Sequence, residues 1–259
     1  MKTAIIICKI DRASMNIYEH LRDYKLKNAF IHFIEDYHIF HESLDKEIKA
    51  GFLLFCSTHK SKANINSLCL HNIGNWGKAD FGGKDKTICP VNASFFKTAF
   101  LELNKLTKDK FDVSVEQVHH GPYLEKPSMF LEIGSTEKEY KDKERGKIVA
   151  ETIVNTLDNY NKEYKSTILF GGQHYNYYAN KILLNTDLAI SYICAKHSLP
   201  YLDKDLFHQM FKKSKEKIEF AILDWKGLGI EKNRVLGLLK DLGLDYKKAD
   251  KINQKAYKQ

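Results

Sequence analysis

Histidine side chains recur in segments that directly follow short apolar runs of the chain. Imidazole gains and loses a proton near neutral pH, and it is a common ligand of metal ions. If the apolar runs are strands of one sheet, their ends bring these imidazoles to one edge, where they are suited to acid–base or metal chemistry. The four segments are Ser57-Thr58-His59-Lys60-Ser61, His71-Asn72-Ile73-Gly74-Asn75, His119-His120-Gly121-Pro122 and Gly171-Gly172-Gln173-His174-Tyr175.

The pair His119-His120 reaches one site only if the strand before it has ended, because neighbouring residues on a strand point to opposite faces. Gly121-Pro122 is typical of such a turn. One histidine of the pair can be catalytic while the other packs. Three further histidines lie in or near apolar segments, and we predict structural roles for them: His32, His38 and His41.

Two glutamates lie in otherwise apolar segments. Glu132 is part of Phe130-Leu131-Glu132-Ile133, and Glu116 lies in Val115-Glu116-Gln117. A carboxylate in an apolar strand is costly unless it is paired. Each therefore binds a metal, orients a histidine or acts as a base, or else it faces outward from the sheet.

Glycine doublets and one aromatic–basic segment are weaker signals. Gly82-Gly83 and Gly171-Gly172 allow close backbone approach, and their N–H groups could hold a phosphate or an oxyanion. Trp225-Lys226 follows an apolar run, so it could stack on a base and contact a phosphate, or be a packed tryptophan beside a surface lysine.

Several familiar catalytic patterns are missing from the sequence. It contains no G-x-S-x-G, no G-x-x-x-x-G-K-[ST], no H-E-x-x-H and no G-x-G-x-x-G after a strand. These absences disfavour a serine hydrolase, an NTPase, a zincin and a dinucleotide enzyme. Hydrolysis by an activated water, through histidine, carboxylate and a metal, remains.

The elements that position these residues alternate between strand-like runs and amphipathic stretches, which predicts an α/β layer structure with a largely parallel or mixed sheet. Thr136 and Glu139 are spaced as a capping box at the start of the helix that carries Ile148, Val149 and Ile153. The predicted strands are Ala4–Ile7, Ala29–Ile34, Phe52–Phe55, Ser67–Leu70, Phe111–Val118, Met129–Ile133, Thr167–Phe170, Leu188–Ile193 and Phe220–Leu223. The other predicted helices are Ala93–Leu103, Leu206–Lys217 and Lys232–Leu242.

The bulk composition is globular, with 43% hydrophobic and 29% charged residues. Without a Pro/Gly linker, we predict one domain, 1–259. A formal charge of +8 favours a polyanionic partner such as RNA. Five scattered cysteines without a C-x-x-C pair fit a reducing compartment. The N-terminal apolar run is too short for a membrane span, and the lysine-rich tail 247–259 is predicted to be a solvated end.

Taken in order, the histidine, glutamate and glycine segments resemble one family, the archaeal and plant type of D-aminoacyl-tRNA deacylase. The matching segments also include Glu132-Ile133-Gly134-Ser135-Thr136-Glu137 and Asp224-Trp225-Lys226-Gly227-Leu228, so the resemblance spans nearly the whole chain. It implies a three-layer α/β/α fold with a mixed, mostly parallel central sheet, related to the phosphorylase/hydrolase-like and peptidyl-tRNA hydrolase architectures. It also implies zinc as cofactor, a monomer, a cytoplasmic location and a D-aminoacyl-tRNA substrate, for example D-tyrosyl-tRNA.

The resulting hypothesis is hydrolysis of the ester between a D-amino acid and the terminal adenosine of tRNA. The catalytic candidates are His59, His119, His120, His174 and Glu132, and the candidate metal ligands among them are His119, His120 and His174. The candidate substrate-binding residues are Lys60, Gly82, Gly83, Gly171, Gly172 and Lys226.

The chain departs from the family pattern at three places. Gln173 replaces a third glycine, Asn176-Tyr177-Tyr178 replaces Ala-Pro-Lys, and Ser191-Tyr192 replaces Gly-His, which removes a possible ligand. Two alternatives follow. One is another enzyme on a related scaffold, such as a peptidyl-tRNA hydrolase or a phosphorolytic nucleosidase, and the other is an inactive tRNA-binding homologue.

Overall fold

The computed structural model describes residues 2–61 and 66–252. The strands are β1 (Thr3–Cys8), β2 (Ala29–Ile34), β3 (Phe52–His59), β4 (Ser67–Asn72), β5 (Gly74–Asn75), β6 (Thr87–Ile88), β7 (Asp112–Val115), β8 (Ser128–Gly134), β9 (Lys165–Phe170), β10 (Leu188–Cys194), β11 (Ile218–Leu223) and β12 (Tyr246–Lys248). The α-helices are α1 (Arg12–Leu21), α2 (Leu44–Glu47), α3 (Ala93–Thr107), α4 (Glu137–Tyr140), α5 (Lys143–Asn159), α6 (Tyr177–Asn185), α7 (Lys204–Lys213) and α8 (Lys232–Asp241). Short 3-10 helices span His38–Phe40, Lys196–Tyr201, Gly229–Glu231 and Ala249–Lys251.

Most of the strands form two sheets. The first has the order β2-β1-β3-β8-β4-β7, and its strands are parallel except across β8 and β4, which pair antiparallel. The second is parallel, with the order β10-β9-β11-β12. The predicted α/β class with mixed, largely parallel pairing is confirmed, and the strands are divided between two sheets.

The segment that follows β7 connects the two sheets. The N–H of Gln117 donates to the carbonyl of His174 after β9, and the N–H of Val118 donates to the carbonyl of Ile193 in β10, each at 3.0 Å. One apolar core also includes side chains of both sheets, among them Leu131 of β8. The single domain over 1–259 is compatible with these contacts and stays a prediction.

Strand alternation gives the first sheet two different faces. Leu54 of β3 and Leu131 of β8 point to the face that α1, α3 and α5 cover. Phe55 and Phe130 point to the opposite face, where their rings stack with centroids 4.8 Å apart in a second core. The second sheet lies between α3 and α6 on one side and α7 and α8 on the other, which gives it the three predicted layers.

Most predicted elements are present, and four need correction. The strand predicted over 111–118 ends at Val115, and the helix predicted to reach Lys217 ends at Lys213. The capping box of Thr136 begins the separate short helix α4, because Asp142 caps α5 itself. The tail predicted as solvated begins inside β12, which pairs with β11, and residues 253–259 lie outside the described part of the chain.

None of the helices that the structure describes combines the length and the apolar character needed to cross a membrane. All five cysteines are buried free thiols. Burial raises the pKa of Cys89 to about 12, so this thiol stays protonated at neutral pH.

One lysine of α3 is almost completely buried. The ammonium of Lys97 donates to the backbone carbonyls of Thr186 and, at 2.8 Å, Leu188, where α6 leads into β10. Burial lowers the pKa of Lys97 to about 7. The unfolded chain therefore binds more protons than the folded chain between this pH and the ordinary lysine value, and the folded state gains stability as the pH rises.

We therefore expect the free energy of unfolding of the native chain, relative to the Lys97→Met variant, to increase by about 2 kcal/mol from pH 7 to pH 9. Urea titrations at the two pH values measure this difference. A difference in the free energy of unfolding between the native chain and the variant that does not change with pH would contradict the lowered pKa of Lys97.

Candidate active site

The candidate site lies on one face of the first sheet, across β3, β8 and β4. Ser57 of β3 and Cys69 of β4 both lie opposite Glu132 of β8, and His71 lies opposite Phe130. Because side chains two residues apart share a face, these residues and His59 continue the face that carries Phe55 and Phe130. The site is therefore built on the sheet itself as well as on the loops after its strands.

His59 and Glu132 form a buried pair. The Nδ1–H of His59 donates to Glu132 Oε2 at 3.2 Å, and the hydroxyl of Ser57 donates to Glu132 Oε1 at 2.5 Å. Burial alone would lower the pKa of His59, but the hydrogen bond to Glu132 and the charges of Glu116 and Glu132 raise it. Burial would raise the pKa of Glu132, but the hydrogen bond from His59 and the neighbouring imidazole of His71 hold it well below its usual range. The pair is thus arranged to hold an ionised carboxylate beside an imidazole.

A second glutamate, Glu116, has imidazoles around it but no hydrogen bond. Its oxygens lie 3.4 Å from Nδ1 of His59 and 3.6 Å from Nε2 of both His119 and His174. The Glu116 side chain has no exposed surface, and neither of its oxygens has a hydrogen-bond partner. A buried carboxylate without donors is costly, so this position calls for a cation.

Three imidazoles lie next to Glu116 as one cluster. The ring centroid of His71 lies 4.0 Å from that of His119 and 4.7 Å from that of His120. The Nδ1–H of each ring donates to a backbone carbonyl, at 3.1 Å for His71, 2.8 Å for His119 and 2.7 Å for His120. This arrangement leaves the lone pair on each Nε2.

Both members of the adjacent pair are held in their neutral form. Burial, and then the proximity of the His71 imidazole, lowers the pKa of His120 to about 3. Burial and the neighbouring imidazoles of His71, His120 and His174 lower the pKa of His119 well below the ordinary value. Neutral imidazoles with a free Nε2 are the form that binds a metal ion.

A turn of unusual backbone geometry lets His119 and His120 reach the same site. The strand has ended at Val115, and His120 has a left-handed backbone with φ of 42°. Gly121 then packs against the Gly82-Gly83 turn, where a Cβ on Gly121 would lie 2.3 Å from the nitrogen of Gly83. Only glycine fits this backbone contact.

The Gly82-Gly83 turn has internal partners for its own polar groups. The N–H of Gly83 donates to Glu42 at 2.6 Å, and the carbonyl of Gly82 accepts from Asn75 at 2.8 Å. The N–H of Gly83 is therefore already bonded within the chain. This geometry does not support the predicted contact of Gly82 and Gly83 with substrate.

The loop after β9 closes the site from the second sheet. Gly171 and Gly172 have positive φ, and the segment then pairs with the residues after β7 through the bridge between Tyr175 and Glu116. The hydroxyl of Tyr175 lies 2.7 Å from Nε2 of His59. His174, with a third of its side chain exposed, is the most accessible imidazole of those that contact Glu116.

The donor set suits a zinc ion. His71 Nε2 is buried without a hydrogen bond, as are both Glu116 oxygens, and histidine nitrogen and carboxylate oxygen are ordinary zinc ligands. Among the described residues, His119 shares one compact group with His71 and His120, and another with Glu116 and His174. In both groups the candidate ligand atoms lie within 4.8 Å of one another. The predicted ligands His119, His120 and His174 are thus divided between two overlapping groups.

The remaining predicted contacts lie at the surface or near the loops of the second sheet. Lys60 and Lys226 are exposed after β3 and β11. Trp225 stacks on Tyr246, with centroids 6.3 Å apart, and the ammonium of Lys248 lies 4.1 Å from its ring centroid, so this ring has partners within the chain.

The Ser191-Tyr192 departure lies in the core and not at the candidate site. The Ser191 hydroxyl bonds to those of Ser166 and Ser214, and the Tyr192 hydroxyl donates to the carbonyl of Cys89. The hydroxyls of Ser191 and Tyr192 are thus engaged within the chain, and the Asn72 side chain, next to His71, donates to the carbonyl of Ser191 at 2.8 Å.

Three residues that the sequence analysis did not assign are central to the geometry: His71, Glu116 and Tyr175. Cys69 and His71 are two residues apart on β4, as Ser57 and His59 are on β3, so each pair points to one face of its strand. This spacing of two is the sequence signal that marks His71. Glu116 carries the signal of a carboxylate in an apolar segment, which left an outward-facing residue as an alternative, and Tyr175 carries no signal, because its position depends on contact between the two sheets.

Gly134 offers a test of how tightly the His59 ring must be held. A Cβ at this position would lie 2.6 Å from Cδ2 of His59, whose ring is fixed by Glu132 and Tyr175. We expect Gly134→Ala to displace the ring and to lower kcat of the reaction at this site by about 10²-fold. Gly237→Ala is the matched control, because a Cβ there has no neighbour within 4 Å, and it should leave kcat unchanged. Equal activity of the two variants would mean that the His59 position is unimportant.

The fold and the site together define an α/β protein with a histidine–carboxylate centre suited to hydrolysis by an activated water. Comparison with known proteins gives the family. The D-aminoacyl-tRNA deacylase family matches residues 46–247, and the chain belongs to this family.

Individual relatives support the same assignment. The D-aminoacyl-tRNA deacylase of Pyrococcus abyssi is 36% identical over 93% of this chain and 98% of its own length. The enzyme of that name from Methanocaldococcus jannaschii is 33% identical over 96% of this chain and 100% of its own. A crystal structure of a conserved protein of unknown function, AF0625, superposes with a TM-score of 0.91 at 27% identity, covering 100% of this chain and 98% of that one.

Proposed function

We propose that this protein hydrolyses the ester bond of D-aminoacyl-tRNA, releasing the free D-amino acid and tRNA. The observation that carries the proposal is the buried Glu116, whose unpaired oxygens face imidazoles from both sheets. The family assignment supports an aminoacyl-tRNA ester as the substrate. A net charge of +8 favours association with the tRNA phosphates.

The residues that would hold zinc are His71, His119 and His120, with Glu116 and His174 as a second, overlapping set. Zinc at such a site polarises a carbonyl and lowers the pKa of a water molecule. The backbone carbonyls that accept from the three Nδ1–H groups fix each ring with its Nε2 toward the site.

We assign proton transfer to the pair of His59 and Glu132, connected to the ester through the Tyr175 hydroxyl, which donates to Nε2 of His59 at 2.7 Å. Along this path His59 takes the proton of the attacking water, Glu132 stabilises the protonated imidazole, and the proton returns to the ribose oxygen that leaves. His174 is exposed enough to contact the ester itself. Lys60 and Lys226 are proposed to contact phosphates of the acceptor end, and the backbone at Gly171-Gly172 is proposed to lie against the terminal nucleotide.

The direct test is the rate of amino-acid release from matched D- and L-tyrosyl-tRNA. We expect faster release from the D-substrate, because a site that holds the ammonium and the carbonyl excludes an L side chain by steric clash. Equal rates would remove the proofreading claim. An N-acetylated substrate and added phosphate, in parallel assays, separate this activity from that of a peptidyl-tRNA hydrolase and of a phosphorolytic enzyme.

We further propose that the protein acts as a cytoplasmic monomer. The five buried free thiols are compatible with a reducing compartment. Light scattering during gel filtration tests the oligomeric state, since a monomer should give a mass near 30.0 kDa.

A further inference from the structure

A cavity of about 450 Å³ lies beside the candidate site, between loops of the second sheet. Its walls come from the segment after β9, the 3-10 helix after β10 and the 3-10 helix after β11. The lining residues are Gly172, Gln173, His174, Lys196, His197, Pro200, Leu228, Ile230 and Glu231. The volume is within the usual range for sites that bind small molecules.

The position of the cavity is typical of nucleotide-binding crevices. β9, β10 and β11 are parallel, so the three loops that form the walls all follow the carboxyl ends of their strands. β10 pairs with one edge of β9, and β11 pairs with the other edge, so the chain crosses from one side of β9 to the other between β10 and β11. Such a change of direction in a parallel sheet opens a crevice where ligands bind.

The cavity adjoins the chemistry directly. His174 is part of its lining, and the same imidazole lies 3.6 Å from Glu116. In an aminoacyl-tRNA, the ester carbonyl is joined to the ribose of the terminal adenosine. If this carbonyl lies at the histidine–carboxylate centre, the ribose joined to it lies beside His174. The adenine then lies no further from His174 than the length of that ribose.

We propose that this cavity binds the 3′-terminal adenosine of tRNA, an inference that rests on the proposed function. Pro200, Leu228 and Ile230 supply apolar surface for the adenine, and Lys196 supplies a cation for its 5′-phosphate. Ile230 is 95% exposed, which leaves its side chain available to cover the base.

A fixed hydrogen-bond donor adds a preference for adenine. The carbonyl oxygen of the Gln117 side chain accepts from Ala195 and Ser198, so its amide donates to Nε2 of His197 at 2.8 Å. The proton of the neutral His197 ring is then on Nδ1, where it can donate to a ring nitrogen of adenine. Glu231, held by Arg234 at 2.6 Å, supplies an acceptor for the exocyclic amine.

The test is equilibrium binding of AMP, which carries the base, the ribose and the 5′-phosphate of the terminal nucleotide. Calorimetry with the full chain should give tighter binding of AMP than of UMP. Ile230→Ser and Lys196→Ala should each weaken AMP binding by about tenfold. Leu184→Ser and Lys181→Ala, at exposed positions of α6, are matched controls that should leave binding unchanged.

Two results would overturn the proposal. One is AMP binding that is absent, or that is equal in the cavity variants and the controls. The other is an Ile230→Ser variant that loses affinity for free D-tyrosine but not for AMP, which would assign the cavity to the amino-acid side chain. AMP binding requires no turnover, so it can succeed even if native protein fails to release D-tyrosine from tRNA.

Discussion

Replacing His71 with glutamine is expected to lower kcat/KM for D-tyrosyl-tRNA by at least about 10²-fold and to reduce the zinc content of the purified protein. The reason is that His71 Nε2 is buried without a hydrogen bond beside His119 and His120. Loss of a group that only orients a metal ligand already costs about 10–100-fold, and His71 is proposed to be a ligand itself.

Elemental analysis and deacylation kinetics on the same preparation check this expectation. His208→Gln is the matched control, because His208 is an exposed histidine on α7. Thermal unfolding of both variants shows whether the His71 variant folds. Full zinc content in a folded, active His71→Gln protein would remove His71 from the proposed site.

Replacing Glu132 with glutamine is expected to lower kcat by about 10²–10⁴-fold, the usual contribution of a general acid–base group. Glutamine keeps the size of the side chain and an oxygen that accepts from Ser57 or His59, but it loses the charge that stabilises a protonated His59. Because Glu132 is not proposed to contact substrate, KM should change little.

Steady-state kinetics over several substrate concentrations separate the two parameters. Glu219→Gln provides the control, since Glu219 is an exposed strand residue of β11. A rise in KM at constant kcat would assign Glu132 to substrate binding. Unchanged kinetics would show that His59 does not require the charge of Glu132.

Nine strands could be predicted from the sequence because each contains an apolar run whose length suits a buried sheet, whereas the short strands β5, β6 and β12 contain no such run. The candidate Glu132 could be chosen because it is a carboxylate in such a run, and His59 because it follows one. The segment 116–118 could not be separated from β7 by sequence, because its change of partner, from Leu70 of β4 at Glu116 to the second sheet at Gln117 and Val118, depends on tertiary contacts.

The pairing of strands is a second feature that the sequence could not predict. β4 pairs antiparallel with β8, and this order places His71 next to Phe130, where their rings stack 5.0 Å apart. A single sequence does not tell which strands pair, so the alternation of Cys69 and His71 could not be linked to Glu132. Tyr175 is positioned by a bridge to Glu116 that lies outside both sheets.

The contact between Gly121 and the Gly82-Gly83 turn has a consequence for protein engineering. A Cβ on Gly82 would lie 1.7 Å from the carbonyl oxygen of Ile39, so even alanine forces three separate stretches of backbone apart. Libraries that aim at new substrates should keep these three glycines constant and place their diversity at Ile230, whose side chain is almost fully exposed, and at the exposed Lys196.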